Sequence, residues 1–243
     1  WQCRMVPTIL WISPLPMAEY IPQVEGIERK HMIRVPEIIR EVSGIRIFGK
    51  RLKSFVFTTD VAIIKNTDAD AVIAVYPFTP QPIITHAIIL SADKPVFCGV
   101  GSGITTAKRI LNLALDAEFK GAMGVVADSP TSNEVIKQMR DSIDIPIIVT
   151  IVSEYEDVQK RIEAGATIIN VCGAEETAKI VKKIRTKYPK FPIIATGGPT
   201  EENIKETILA GANAIAFTPP TSAEVLGQIM NEHRKKHKNR ISE

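Results

Sequence analysis

Residues 192–225 read PIIATGGPTEENIKETILAGANAIAFTPPTSAEV. The aliphatic run Ile193-Ile194-Ala195-Thr196 stops at Gly197-Gly198, and a helix opens at Thr200 with Glu202 and Asn203 in its first turn. A second run, Ala214-Ile215-Ala216-Phe217, stops at Thr218 and is followed by another helix start. The stretch is strand, turn, helix, strand, turn, helix. Small residues at two successive strand ends let backbone N–H groups approach a ligand closely, and a helix N-terminus favours an anion there.

The same unit recurs upstream. Ala164-Gly165-Ala166-Thr167-Ile168-Ile169 matches Ala210-Gly211-Ala212-Asn213-Ala214-Ile215. In both, a helix ends at a glycine, which tolerates the left-handed conformation just past a C-cap, and a buried strand begins at once. From Pro36 onward eight apolar runs appear: Phe55–Thr58, Ala71–Val75, Pro95–Cys98, Ala122–Ala127, Pro146–Ile151, Thr167–Val171, Pro192–Thr196 and Asn213–Phe217. A turn and a helical pattern follow each. Strands alternating with helices mean βαβ units and a parallel sheet. Eight units in a row exceed the five or so of a flavodoxin-like sheet. They predict an α/β fold, a single compact (β/α)8 TIM barrel over residues 36–232. Its first crossover, Val61 to Asp70, has room for only a turn or two of helix. Glu37–Val42 is expected as a short helix. Ile45–Phe55 alternates and is expected as a hairpin or a strand lead-in about Gly49, and residues 36–53 are expected to cover the N-terminal end or edge of the barrel. Residues 1–35 hold Pro7, Pro14, Pro16, Pro22 and both tryptophans without a period, so they are set apart as an irregular N-terminal extension, with Met32 as an alternative start. Residues 233–243 form a basic C-terminal tail.

Of the 243 residues 45% are hydrophobic and 23% charged, which suits a soluble globular chain with a real core. Net charge is +3 but unevenly placed: Arg234 to Glu243 carries five Lys or Arg and one Glu, so that tail is +4 and the remainder −1. The tail reads as a solvated helix end, where cations are favoured, rather than as a nucleic-acid patch. Three cysteines, Cys3, Cys98 and Cys172, are an odd number without short spacing, against both a disulfide framework and a zinc cluster. No apolar run approaches the ~18 residues of a membrane span, and no basic segment precedes an apolar core as in a secretory signal. The expected setting is cytoplasmic. The expected partner is a small phosphorylated metabolite, with no membrane and no nucleic acid, and self-association as a homo-oligomer stays open.

In such a barrel the site is built from the C-terminal strand ends. Those ends supply hydroxyls, glycines and carboxylates but no Lys, Arg or His. A Schiff-base aldolase needs a lysine in the mouth, and a metal site needs His and carboxylate ligands. Only His86 of the four histidines lies inside the barrel segment, in a helical stretch, so no metal and no cofactor are expected. The catalytic candidates are Asp60 and Asp128, at the ends of the first and fourth strands. Burial raises a carboxyl pKa and makes it a usable base. The competing roles are an N-cap of the first helix for Asp60 and an Asx-turn into Ser129-Pro130 for Asp128. Gly99-Val100-Gly101-Ser102-Gly103 is either a cradle for an anion, with Gly101 at its centre, or a tight turn. It is not a dinucleotide fingerprint. Asn170 and Gly173, at the end of the sixth strand, join the ligand-binding candidates. Cys98 and Cys172 read as buried, inert thiols, and the acidic group Glu154 to Asp157 as decoration of a helix N-terminus.

The segment IIATGGPTEENIKETILAGANAIAF and the AGA-x-x-I repeat resemble the phosphate-binding (β/α)8 barrels: the ribulose-phosphate-binding barrels, the tryptophan synthase α chain and N-acylglucosamine-6-phosphate 2-epimerase. The likeness covers residues 120–230. Residues 36–230 also resemble a group of uncharacterised bacterial TIM-barrel proteins loosely labelled hydrolases. The resemblance implies that Gly197 and Gly198 hold phosphate through backbone amides and that Thr218 through Ser222 complete the cup. The chain departs from the family there, with Thr218-Pro219-Pro220 in place of a small Gly-Ser. Prolines have no N–H, which leaves the hydroxyls of Thr218, Thr221 and Ser222 and the helix amides. The catalytic lysine of the epimerase and of the aldolases has no counterpart, so neither activity carries over. The expectation is an enzyme acting on a small phosphorylated metabolite by carboxylate acid–base chemistry, with isomerase, epimerase, lyase and hydrolase all open. The alternative is a non-catalytic barrel that senses such a metabolite, and a third reading is an RNA-binding regulator acting through the basic tail.

Overall fold

The eight aliphatic runs become eight parallel strands that close into one barrel. The computed structural model describes residues 22, 24, 32–101, 104–198 and 200–241, with 238–241 as backbone alone. The N-terminal extension therefore lies almost wholly outside the described residues, as do Ser102 and Gly103 of the glycine-rich loop. A 3-10 turn, Glu37–Glu41, precedes an antiparallel hairpin of β1 (Ile45–Ile47) and β2 (Lys50–Leu52). The barrel strands are β3 (Ser54–Phe57), β4 (Ala71–Ala74), β5 (Val96–Gly99), β6 (Gly124–Ala127), β7 (Ile147–Ile151), β8 (Ile168–Val171), β9 (Ile193–Thr196) and β10 (Ala214–Phe217). They pair in chain order, and β10 closes the ring against β3. Between and after them run α1 (Val61–Lys65), α2 (Pro82–Ser91), α3 (Ala107–Phe119), α4 (Asn133–Arg140), α5 (Val158–Ala164), α6 (Thr177–Lys187), α7 (Glu201–Leu209) and α8 (Ser222–Ile241).

Each strand starts within two residues of the run read from the sequence. Prolines explain part of the offset. Pro95, Pro146 and Pro192 lack an N–H and enter the ladder only as acceptors, from Val72, Val125 and Ile169. The first crossover holds five helical residues, as its length demanded. The glycine of the AGA repeat lies past the helix as expected: Gly165 follows α5 at φ 126° and Gly211 follows α7 at φ 105°.

Alternation along the strands divides the buried residues into two cores. Val56, Val72, Val125, Val149, Ile169 and Ile215 face the helices. Phe55, Ile73, Phe97, Val126, Ile148, Ile168, Ile194 and Ala216 fill the barrel, where the Phe55 and Phe97 rings meet edge to face at 5.4 Å. Ile45, Ile47 and Leu52 of the hairpin belong to this inner cluster and plug its N-terminal end. Gly44 N–H donates to Asn213 O at 2.7 Å and ties the hairpin to the strand that opens at Ala214. The inner core thus fills the barrel from the plug upward, and the next inward position on each strand lies at the C-terminal mouth.

Candidate functional site

Two residues beyond each inner-core side chain, the period of a strand brings the next side chain inward. On β6 to β9 those positions are Asp128, Thr150, Asn170 and Thr196. On β3 to β5 they are Phe57, Val75 and Gly99. On β10 the position is Thr218, so the mouth is split: five consecutive strands offer polar groups, and the facing three offer apolar ones or none. Thr150 and Asn170 are direct partners across β7 and β8, and Asn170 Nδ2 donates to Thr150 Oγ1 at 3.5 Å. Asn170 is 7% exposed, and its Oδ1 is buried without a hydrogen-bond donor among the described residues. Buried amide oxygens are nearly always paired, so this atom is an acceptor left open at the mouth to water or a ligand. Sequence reading named Asn170 and passed over Thr150 as a site residue. The signal was available: both break an aliphatic run at an inward position, IIVTI and IINV.

Asp128 is half-buried at the end of β6, and burial pushes its pKa above the ordinary carboxylate value. The turn after it is a backbone β-turn, in which Thr131 N–H donates to Asp128 O at 2.9 Å, and not an Asx-turn through the side chain. The loop behind it is stapled to its neighbour. Ser129 Oγ donates to Glu156 Oε1 at 3.0 Å, Val152 N–H donates to the same oxygen at 2.8 Å, and Arg161 donates to Ser129 O and Thr131 O. Asp157 caps α5 as the acidic group suggested, through Lys160 N–H at 3.3 Å. Glu156 does something the sequence reading did not foresee: it fixes the segment that carries Asp128.

Asp60 has the capping role. Its Oδ1 accepts from Ala62 N–H at 2.9 Å and Ile63 N–H at 3.3 Å at the start of α1. Its Oδ2 accepts from Ser222 N–H at 3.1 Å and from Ser222 Oγ. Burial raises its pKa, but the bonds from Ser222, Ile63 and Ala62 outweigh burial and hold it below the ordinary value. The carboxylate clasps the end of the first barrel strand to the start of the last helix.

The clasp extends into the last turn. Thr221 N–H and Oγ1 both donate to Glu224 Oε2, at 2.7 and 2.9 Å, as in a capping box. Ser222 is committed to Asp60. The amides and hydroxyls assigned to a phosphate cup at Thr221 and Ser222 are thus taken by the chain's own carboxylates, and only Thr218, exposed past β10, stands outside this network. At the turn after β9 the two glycines differ. Gly197 N–H donates to Ala216 O at 2.8 Å, so its amide belongs to the ladder. Gly198 is held against α7, where a Cβ would sit 2.4 Å from Asn203 Cβ. Gly198, Asn203 and Thr196 line a cavity of about 710 Å³ with Cys172, Ala174, Glu175, Thr177 and Gly197. Gly173 N–H is used by Thr177 Oγ1 at 3.0 Å.

Gly101 lines a smaller cleft of about 130 Å³ with Asp128, Val75, Tyr76, Phe78 and Ile104. At φ 122°, with Thr105 where a Cβ would lie, only glycine suits this turn. Cys98 is buried as expected, its thiol pushed up to about 12 by burial and by the charge of Asp116. Cys172 is not buried: the strand has ended by then, and the residue is exposed on the wall of the larger cavity. Among the described residues no three or more His, Cys, Asp or Glu side chains gather as metal ligands, and no helix is long and apolar enough to cross a membrane.

No protein-family model matches this chain, and no curated protein matches it in sequence. Solved structures match it in fold. A mandelate oxidase with benzoyl-formic acid aligns at TM-score 0.60 and 15% identity, over 73% of this chain and 68% of that one. A protein from Burkholderia cenocepacia J2315 taken to be a phosphonomutase aligns at TM-score 0.57 and 13% identity, over 76% and 92%. QR15, an aldolase, aligns at TM-score 0.53 and 17% identity, over 68% and 88%. Identities this low establish the shared barrel and nothing of the chemistry.

Proposed function

We propose that this chain is an enzyme that carries out proton-transfer chemistry on a small phosphorylated metabolite, with Asp128 as its general base. The observation that carries the reading is the run of inward polar groups on five consecutive strands: Asp128, Thr150, Asn170, Thr196 and Thr218. A buried amide oxygen without a donor and a carboxylate made more basic by burial, both at inward positions of the mouth, are what abstraction of a substrate proton calls for. Asp128 takes the proton, and Thr150 and Asn170 hydrogen-bond the oxygens around the reacting centre. The phosphate lies in the larger cavity, against Gly198 N–H, the Asn203 amide and the Thr196 hydroxyl, at the N-terminus of α7. Asp60 serves as a clasp on Ser222 and takes no part in the proton transfer. The same base acting on a C–H gives isomerisation, epimerisation or elimination, and acting on water gives hydrolysis. That the barrels similar in fold are named as an oxidase, an aldolase and a phosphonomutase supports an enzyme in general terms.

The sensing barrel is favoured by one observation: Asp60 is committed to its clasp, which leaves Asp128 as the one free member of the two strand-end carboxylates. A panel of phosphorylated metabolites, screened by thermal shift and then incubated with the protein, separates the two readings. The enzyme reading expects a stabilising metabolite to be converted, and conversion to fail in Asp128→Asn. A metabolite bound tightly and recovered unchanged decides for the sensor. Absence of any phosphate-dependent stabilisation removes both.

A further inference from the structure

The hairpin at the closed end of the barrel carries cations that the mouth does not use. With Ile45, Ile47 and Leu52 turned into the core, Arg46 and Arg51 are exposed and directly opposite one another across β1 and β2. Like charges in that position destabilise an antiparallel pair. Arg51 and Lys53 then line a cavity of about 210 Å³ with Arg40, Ser54 and Asp70. Their placement is built, not incidental. Gly44, at φ 77°, has no side chain where the two stems pass: a Cβ there would lie 2.9 Å from Arg51 Cγ and 3.2 Å from Lys53 Cγ. Arg51 Nε donates to Ser43 O at 2.7 Å, and Lys53 Nζ donates to Arg40 O. Carbonyls orient these cations without neutralising them.

The carboxylates nearby are already engaged. Asp68 pairs with Arg40 at 2.9 Å. Asp70 Oδ2 accepts the amides of Lys53 and Ser54 at 2.8 and 3.0 Å. Among the described residues no carboxylate forms an ion pair with Arg46, Lys50, Arg51 or Lys53. Glu37 and Asp68 both pair with Arg40, Asp70 offsets one of Arg51 and Lys53, and Arg46 adds positive charge beside Arg51.

We infer that this cavity is a binding site for a small phosphate-bearing anion, gripped by Arg51 and Lys53 at the N-terminal end of the barrel, apart from the mouth. The terminal nitrogens of Arg51, with Nε anchored, present a planar fork suited to two phosphate oxygens, and Lys53 adds a point charge. A bound anion also relieves the repulsion between Arg46 and Arg51, so occupancy stabilises the hairpin plug. The inference stands independently of the chemistry proposed for the mouth.

The test is calorimetric titration of the full chain with inorganic pyrophosphate at low ionic strength, where surface charge is least screened. Binding is expected in the wild type and in Gly198→Val, which disturbs only the mouth. Arg51→Gln and Lys53→Gln are each expected to weaken it about tenfold or more, as loss of one charged hydrogen-bonding partner does. Arg51→Gln also removes the like-charge pair, so its melting temperature without ligand is expected at or above wild type, which separates a lost site from a lost fold. Unchanged affinity in both Gln variants overturns the site, and so does binding that vanishes in Gly198→Val while both Gln variants keep it.

Discussion

Asp60 and Asp128 look alike in the sequence, each a carboxylate at the end of a barrel strand, and the fold has given them opposite conditions. Asp60 is surrounded by donors, four of them within reach, and its charge is stabilised. Asp128 is half-buried beside apolar groups, and its charge is penalised. The first carboxylate holds the structure together. The second holds a charge that the structure would rather be without, which is the condition of a useful base. The same contrast separates the two helix starts at the mouth. The start of α8 is closed by Asp60 and Glu224, while the turn before α7 leaves Gly198 and Asn203 beside a cavity. A helix N-terminus serves a ligand only where the chain's own carboxylates leave it free.

The contrast breaks most visibly in turnover. Asp128→Asn keeps the shape and removes the base, so a rate loss of roughly 10² to 10⁴ is expected. Asp60→Asn is expected to retain most of the rate, because Asn still caps α1. Equal losses in the two variants, measured on any converted metabolite, would erase the distinction between base and clasp.

The second effect lies at the helix starts. Gly198→Val places a branched side chain against Asn203 and closes the approach to the amide. Phosphate-ester affinity is expected to fall tenfold or more, roughly the loss of one good hydrogen bond and its access. Ser222→Ala, at the closed start, is expected to leave that affinity unchanged. Titration of both variants with the same ester checks the pair.

Third comes stability. Asp60→Ala removes an N-cap and the tie to α8 together, and a loss of about 1–2 kcal/mol in denaturant unfolding is expected. Because the folded pKa of Asp60 is lowered, its contribution is present above the ordinary value of 3.8 and lost as pH falls through the lower folded value. Acid should therefore narrow the gap between wild type and Asp60→Ala.

The smallest effect has the opposite sign. The folded pKa of Asp128 is raised, so between 3.8 and that value the folded state holds the proton more tightly, and stability falls as pH rises. At neutral pH Asp128→Asn is expected to be as stable as wild type or more stable by up to about 1 kcal/mol, while inactive. The advantage should shrink as pH drops through the folded pKa. A variant less stable than wild type at neutral pH would mean that Asp128 is a structural group after all.

The barrel was legible because each strand had to be buried on both sides. Buried strands leave continuous aliphatic runs, and runs such as Ile193–Thr196 and Ala214–Phe217 can be counted. The glycines of the AGA repeat were legible for a local reason, since a left-handed residue past a helix admits little else. The short α1 followed from the length of its crossover, and the alternation about Gly49 narrowed that segment to a hairpin or a strand lead-in. These are properties of adjacent residues, and the sequence by itself determined them. The fate of each strand-end polar group was decided by the tertiary structure. Asp60 meets Ser222 across 162 positions, Glu156 reaches Ser129 across 27, and Gly197 N–H is consumed by Ala216 O of the neighbouring strand. Whether an amide or a carboxylate is free for a ligand depends on which distant partner reaches it first, and only closure of the ring brings those partners within hydrogen-bonding distance.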